Sequence, residues 1–385
     1  MSLLDFCKTE RQKAVVSRVE KGMSQRAIAK DLGITKSTIA GHIDAVKGYA
    51  VKQGYSPEHD YTHPVPDGFI VKGVSTYYND EGKPVGQWVK SLSDKERQLE
   101  MLVERMEQSL DAVPPFKPTK PPKKSDDLLL SLLTITDFHV GSACWEAETG
   151  DNFDTKIAAE IFLNAVHDML AACPNSRIGM LNILGDFIHF DGINLQPVTS
   201  GGGHVLDADT RYTKIVDVSM SIVREAVKMM LARFERVVVV VAEGNHDISS
   251  SVWLRKYIKH LFEGSRVEVI DNPFPYYAYL HGNCMLGFHH GHKMKLANLH
   301  KLFASEPRFR GMWGQASAGV YIHMGHYHHE RVIEDGGAVA EMHPSLTGRS
   351  SYEARGGWVS QRGAKVITYD KLEGEVHRTT VRPRL

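Results

Sequence analysis

Three apolar runs set the first expectation for this chain. Leu128 to Ile135, Ile178 to Leu184 and Val237 to Ala242 are almost continuously hydrophobic, the pattern of strands covered on both faces. Between them, residues 154–172 and 209–233 carry apolar positions at helical spacing. This alternation predicts a layered α/β domain whose strand-end loops converge. Beyond residue 335, Ala338–Met342, Ala364–Tyr369 and Glu375–Thr380 predict antiparallel strands that finish the sandwich.

The first third follows a different pattern, with three helices expected within residues 8–50. From Ser24 to Ile39, Ile28, Leu32, Ile34 and Ile39 form a shared core, and Ala29 is small where two helices cross. Gly33 supplies a left-handed turn and Thr35 caps the next helix. These spacings resemble a helix-turn-helix. The resemblance implies DNA contact through the start of the second helix, at Lys36, Ser37, Thr38 and His42; a three-helix bundle used for oligomerisation is the alternative. Phe69–Tyr78 and Val85–Lys90 flank a turn at residues 79–82 and predict a β-hairpin. Leu99, Leu102, Val103, Met106 and Leu110 predict an amphipathic helix. Pro114–Lys124 alternates prolines with lysines, as in a solvated, extended linker. The organisation expected is a helix-turn-helix module over 1–54, a hairpin-plus-helix spacer over 55–112, a linker over 113–127 and a catalytic domain over 128–385.

Composition narrows this picture. With 385 residues, 42% of them hydrophobic, the chain can build one large core and a smaller module. The formal net charge is zero, which excludes a global field that steers the protein to nucleic acid. The distribution is uneven, however: residues 1–54 hold ten Lys/Arg against five acids, and the remainder carries the opposite balance. The four cysteines are scattered, without a C-x-x-C pair. That argues against a zinc knuckle or a disulfide scaffold and for a reducing, cytoplasmic setting. The charged N-terminus and the shortness of every apolar run lead us to expect neither export nor a membrane anchor.

The chemistry lies in five short pieces that follow in order: Asp137-Phe-His139, Gly185-Asp186, Gly244-Asn245-His246-Asp247, His290-Gly291-His292 and Gly325-His326-Tyr327-His328. Together they resemble the motif set of the calcineurin-like metallophosphoesterase superfamily over residues 128–350. That resemblance implies a four-layer α/β/β/α sandwich and a two-metal hydrolase. Asp137, His139 and His328 would hold one ion, Asn245, His290 and His326 the other, and Asp186 would bridge them. An activated water would then attack phosphorus. His246 would stabilise phosphoryl oxygens or protonate the leaving group, with Asp247 orienting it. The Gly-Asp-x-x-His spelling that ends at His189 resembles the double-strand-break repair nucleases of the superfamily, which places His189 near the scissile phosphate; a structural role is its alternative.

Other residues carry weaker expectations. His292 is the next candidate ligand. His167, His260, His281, His300 and His377 are expected to face solvent. The loop from Asp191 to Arg211 would shape the substrate mouth, with Arg211 as a phosphate contact. Pro307–Gly314 mixes cations and aromatics, as nucleic-acid surfaces do. The ligands suit two divalent ions, with Mn favoured over Fe, Zn or Mg.

The function expected is therefore a metal-dependent DNA nuclease, possible as a homodimer, whose domain pairing resembles bacteriophage or prophage DNA-metabolism enzymes. The alternatives are a small-molecule phosphodiesterase or phosphoprotein phosphatase with a regulatory helix-turn-helix, and a DNA-binding regulator without catalysis.

Overall fold

The computed structural model describes residues 2–56, 61–62, 65, 69–80, 84–94, 97, 100, 119–122, 124–192, 196–200 and 202–382. Two units divide the chain, Met1–Glu104 and Arg105–Leu385.

In the first unit a short 3-10 turn, Leu3–Phe6, precedes α1 (Glu10–Glu20), α2 (Gln25–Leu32) and α3 (Lys36–Lys52). Each helix starts where a hydroxyl can satisfy an otherwise orphaned N–H: Thr9 accepts from Gln12, Ser24 from Ala27 and Thr35 from Thr38. Gly33 ends α2 with φ 63°, a conformation that glycine adopts without steric cost. Val15, Ile28 and Ile39 form the buried centre, with Ala29, Leu32, Ile34 and Ile43 packed around them. Two short strands follow, β1 (Tyr55–Ser56) and β2 (Tyr61–Thr62), and then an antiparallel ribbon of β3 (Phe69–Tyr78) and β4 (Pro84–Ser93). The helix expected around Leu99–Leu110 lies outside the described residues, as does most of the proline-rich linker.

The second unit carries two larger sheets. The six-stranded sheet contains β5 (Asp126–Ile135), β6 (Ser176–Leu184), β7 (Arg236–Ala242), β8 (Val267–Val269), β14 (Ala364–Asp370) and β15 (Gly374–Val381), ordered β15-β14-β5-β6-β7-β8. Strands β5 to β8 are parallel, whereas β14 and β15 pair antiparallel at one edge. The five-stranded sheet contains β9 (Tyr277–His281), β10 (Cys284–Phe288), β11 (Gly319–Met324), β12 (Arg331–Asp335) and β13 (Ala338–Met342), ordered β12-β13-β11-β10-β9. The expectation for Ala338–Met342 is met in part: β13 pairs antiparallel with β12 but parallel with β11, and it lies in this second sheet, apart from β14 and β15.

Leu132, Met180, Val238 and Val240 from one sheet pack with Leu286, Phe288 and Tyr277 from the other in a single apolar layer. Both sheets therefore bury these strands, which explains their continuous hydrophobicity. The helices of this unit are α4 (Glu146–Thr149), α5 (Thr155–Ala172), α6 (Tyr212–Arg233), α7 (Ile248–Leu261), α8 (Leu296–Ser305), α9 (Arg310–Gln315) and α10 (Ser351–Gly356). Leu296, Leu299 and Phe303 of α8 pack on Met285, Ile322 and Ala340 of the five-stranded sheet. No described helix is long and apolar enough to cross a membrane.

Candidate metal centre

All five motifs begin just past the C-terminal end of a strand that has a parallel neighbour. Asp137 follows β5, Asp186 follows β6, Asn245 follows β7, His290 follows β10 and His326 follows β11. The backbone then bends sharply. Asp137, His139, Asp186, His326 and His328 have φ between 48° and 76°, and among the described residues they are the only non-glycines with positive φ. Such conformations cost of order 1 kcal/mol or more each and persist where the surroundings impose them.

Backbone hydrogen bonds lace the turns together. Asp137 N donates to Gly185 O at 3.1 Å and His139 N to Asp186 O at 3.0 Å. Each aspartate also commits one oxygen to a neighbouring motif. Asp137 Oδ2 accepts from His326 N at 2.8 Å and Thr136 Oγ1 at 2.6 Å, and Asp186 Oδ1 accepts from His246 N at 2.8 Å. Glycine is required beside these carboxylates, because a Cβ on Gly325 would strike Asp137 Oδ2 and one on Gly244 would strike Asp186 Oδ1. The second oxygen of each aspartate remains for other work.

The histidines are oriented by the same logic, since a carbonyl or carboxylate oxygen only accepts. His290 Nδ1 donates to Leu184 O at 2.9 Å, and His328 Nδ1 donates to Glu353 Oε1 at 2.7 Å. Both rings thus present an unprotonated Nε2 once neutral. His189 Nε2 donates to Asp207 O at 3.1 Å, so neutral His189 offers Nδ1 as an acceptor, 3.3 Å from His139 Nδ1. The proton between them belongs to His139, and its Nε2 is left free. Burial, reinforced by His246, pushes His189 down to about 3, which keeps it neutral in this role.

Asp137, His139 and His328 place ligand atoms within 4.8 Å of one another, and Asp186, His290 and His326 do the same. His290 Nε2 lies 3.0 Å from Asp186 Oδ2 and 3.8 Å from Asp137 Oδ1, so the two trios are adjacent. Asp137 Oδ1, Asn245 Oδ1 and His290 Nε2 are buried without a properly directed hydrogen bond. Orphans of this kind are costly unless something satisfies them. Burial pushes the Asp186 carboxyl up, yet His290, His246 and His139 outweigh it and hold it well below the usual range. Burial pushes His290 and His328 down, but Asp186 and Asp137 raise the first to about 9, and Asp137 with Glu353 raises the second to about 10. The pocket thus draws positive charge to the place where its unsatisfied ligand atoms meet. Carboxylate oxygens, an amide oxygen and imidazole nitrogens fit divalent metal ions.

Several expectations change. Asp247 does not orient His246. Its carboxylate accepts from the backbone N–H groups of Asp186, Phe187, Ile188 and Gly244 at 2.8–3.3 Å, so it shapes the turn that carries Asp186. His246 is held instead by the His189 carbonyl, 2.8 Å from its Nδ1, with Nε2 4.0 Å from Asp186 Oδ2. Arg211 is exposed as the residue before α6 and does not line the cavity. His281 and His300 are buried, not solvent-facing; His281 Nε2 donates to Leu128 O at 2.8 Å. Phe309 belongs to the core and Arg308 stacks on Phe274, so Pro307–Gly314 lies away from the cavity. His292 has a buried, unpartnered Nδ1 and belongs to neither trio.

Sequence reasoning did not find Glu353; the stretch Ser345–Tyr352, left open in the sequence as a flank of the metals, does reach the site through Ser345, whose Oγ donates to Asp137 O at 2.8 Å. The one signal was the capping pattern Ser350-x-x-Glu353, which marks a helix start but not a partner. Glu353→Gln should weaken Mn²⁺ affinity by roughly 10–100-fold, because the residue fixes the His328 ring. Isothermal titration calorimetry checks this, and an unchanged affinity would remove Glu353 from the site.

Above the ligands lies a cavity of about 1090 Å³. Its lining includes His204 to Asp207, Ser350 to Glu353 and Gly357 to Ser360, with His139, Asp186, Asn245, His246, His326 and His328.

No protein-family profile and no curated protein sequence matches this chain. Among solved structures it is similar to a conserved protein of Streptococcus pneumoniae TIGR4 described as a predicted phosphoesterase, at 11% identity and a TM-score of 0.26, covering 66% of this chain and 98% of that one. Vacuolar Protein Sorting 29 from Cryptosporidium parvum aligns at 14% identity and a TM-score of 0.27, covering 67% and 100%. A purple acid phosphatase from yellow lupin seeds aligns at 11% identity and a TM-score of 0.32, covering 68% and 55%.

Proposed function

We propose that this protein is a two-metal phosphodiesterase of the calcineurin-like metallophosphoesterase type, with the helix–sheet–sheet–helix layering of that fold, and that it cleaves DNA in the cytoplasm. The observation that carries the reading is the convergence of Asp137, His139, Asp186, Asn245, His290, His326 and His328 around buried ligand atoms that no protein group satisfies. Two divalent ions held there, Mn²⁺ being the first to test, would polarise a phosphoryl group and acidify water. Asp186 keeps Oδ1 on the His246 N–H and leaves Oδ2 free, 3.0 Å from His290 Nε2, as the oxygen that would bridge the ions. His246 is fixed at Nδ1, so its Nε2 is the atom that takes or gives a proton at the cavity floor. His189 positions His139 and thereby keeps that ring's Nε2 available.

DNA as the partner is supported by the basic excess of residues 1–54 and by Lys36, Ser37 and Thr38, which stand exposed at the start of α3. His42 is half-buried one turn later. A homodimer would supply the second contact that a small module of this kind needs. Lys36→Ala should weaken duplex binding and reduce its salt slope by about one, the signature of one lost phosphate contact. Titrations at several salt concentrations read this, and an unchanged slope would take Lys36 off the DNA.

One observation favours a second reading, a nucleotide-sized substrate: among the described residues no Lys or Arg lines the cavity. Incubation with Mn²⁺ and linear duplex, circular single-stranded DNA or bis-p-nitrophenyl phosphate separates the two. Cleavage of DNA supports the nuclease reading; chromogenic hydrolysis without DNA cleavage moves the function to small phosphodiesters.

A further inference from the structure

The rim of the cavity carries more exposed aromatic surface than a phosphoryl-binding site requires. Tyr352 is 73% exposed and Trp358 53% exposed, and both line the same cavity as the metal ligands. Their ring centroids are 5.2 Å apart with planes at 58°, so each leaves a face open to solvent.

The pair is built into the fold. A Cβ on Gly356 would meet the Trp358 ring at 2.9 Å, so the indole lies directly on glycine backbone. Gly357 turns the chain with φ 73°, and Trp358 N donates to Glu353 O at 3.0 Å. Glu353 also holds His328 and closes the capping box of α10 with Ser350. One helical turn therefore ties the aromatic pair to a metal ligand.

Resting on the phosphodiesterase reading above, we propose that Tyr352 and Trp358 form a stacking subsite for an unpaired nucleobase next to the phosphate held at the metal centre. The substrate class is then a single-stranded or frayed nucleic-acid end. Duplex bases are stacked on one another and offer no free face to such a platform. Among the described residues no Lys or Arg lines the cavity, so the described lining offers no cationic track for a long run of phosphates. Base stacking is the remaining source of affinity, and it operates without sequence preference.

The test compares the full-length protein in Mn²⁺ with Tyr352→Leu, Trp358→Leu and Trp358→Phe. The substrates are a short single strand and a strand of equal length built from abasic residues. Each leucine variant should lose about 10- to 100-fold in kcat/KM on the intact strand, the magnitude of one lost stacked base. On the abasic strand the gap from wild type should shrink to roughly threefold, and Trp358→Phe should recover most of the loss because a ring remains. Thermal midpoints within about 2 °C of wild type would show that the variants fold, as expected for exposed positions.

A second readout needs no turnover. A terminal 2-aminopurine on a slowly cleaved phosphorothioate strand should be quenched by wild type and not by Trp358→Leu. If wild type cleaves the strand and the leucine variants match it, or if they lose as much on the abasic strand, the stacking subsite is wrong and the nuclease reading stands. If quenching depends on Trp358 but no strand is cut, the subsite stands and the nuclease reading falls.

Discussion

Asp186→Asn should reduce hydrolysis of bis-p-nitrophenyl phosphate by at least about a thousandfold, corresponding to roughly 4 kcal/mol of lost stabilisation, while the fold stays intact. The side chain is 2% exposed and serves two purposes. Its Oδ1 accepts the His246 N–H, which an asparagine oxygen can still do. Its Oδ2 lies 3.0 Å from His290 Nε2 and 4.0 Å from His246 Nε2, and on the proposed reading it is the oxygen that the two ions would share. The amide therefore preserves the turn and removes the shared negative charge. Metal content measured after dialysis against Mn²⁺ should fall below two ions per chain, and the rise in melting temperature on adding Mn²⁺ should shrink. Near-normal turnover with two ions bound would refute the bridging assignment.

Glu341→Gln should cost about 3–5 kcal/mol of stability although it lies outside the ligand set. Glu341 on β13 receives Lys365 Nζ at 2.6 Å and Arg378 Nη1 and Nη2 at 3.0 and 3.1 Å. Lys365 is 5% exposed. The carboxylate therefore compensates one almost fully buried cation and one half-exposed one, and it joins the five-stranded sheet to β14 and β15. His323 and His343 complete the cluster, 2.9 Å apart, with Tyr369 Oη 3.2 Å from His323 Nε2. His323, Glu341 and His343 could suggest another metal site, but two cations already occupy its carboxylate.

The pH dependence has a definite sign. Burial raises the Glu341 carboxyl, but His343, Lys365 and His323 pull it down to about 2. A folded value below the unfolded one gives stability that is present above about pH 4.5 and is lost as pH falls towards 2. The gap between wild type and Glu341→Gln in urea midpoint should thus be widest above pH 5 and close on acidification. Adding Lys365→Met to the variant should recover part of the loss, since the buried cation, left with only the more distant Glu330 at 3.6 Å, is then gone. A difference below about 1 kcal/mol at neutral pH would show that the network contributes little.

Strand cores and ligand turns were legible in the sequence because their signals are local. Val237–Ala242 can satisfy its burial only between two layers, and Gly244 or Gly325 announces a backbone that a carboxylate approaches closely. Partnerships across the fold were not legible. Glu353 reaches His328 only once α10 docks, and no periodicity encodes that. Asp247 adjoins His246 in sequence, which suggested a side-chain pair, whereas three backbone N–H donors from the Asp186 turn and one from Gly244 in its own turn claim its oxygens. The placement of β13 depends on which sheet edge is free, and Ala338–Met342 carries no mark of that choice. Arg211 was favoured as the arginine of the loop from Asp191, but it stands exposed before α6 and is not among the cavity-lining residues.

The left-handed turns at Asp137, His139, Asp186, His326 and His328 also bear on whether this chain could be a retired enzyme kept only to bind DNA. Five such residues together cost about 5 kcal/mol or more, comparable with the whole stability of an ordinary domain. Glycine at any of them would relax the local backbone, at the expense of contacts such as Asp137 Oδ2 with His326 N and His328 Nδ1 with Glu353. All five positions keep a side chain, as the proposed two-ion chemistry requires and a purely DNA-binding role would not.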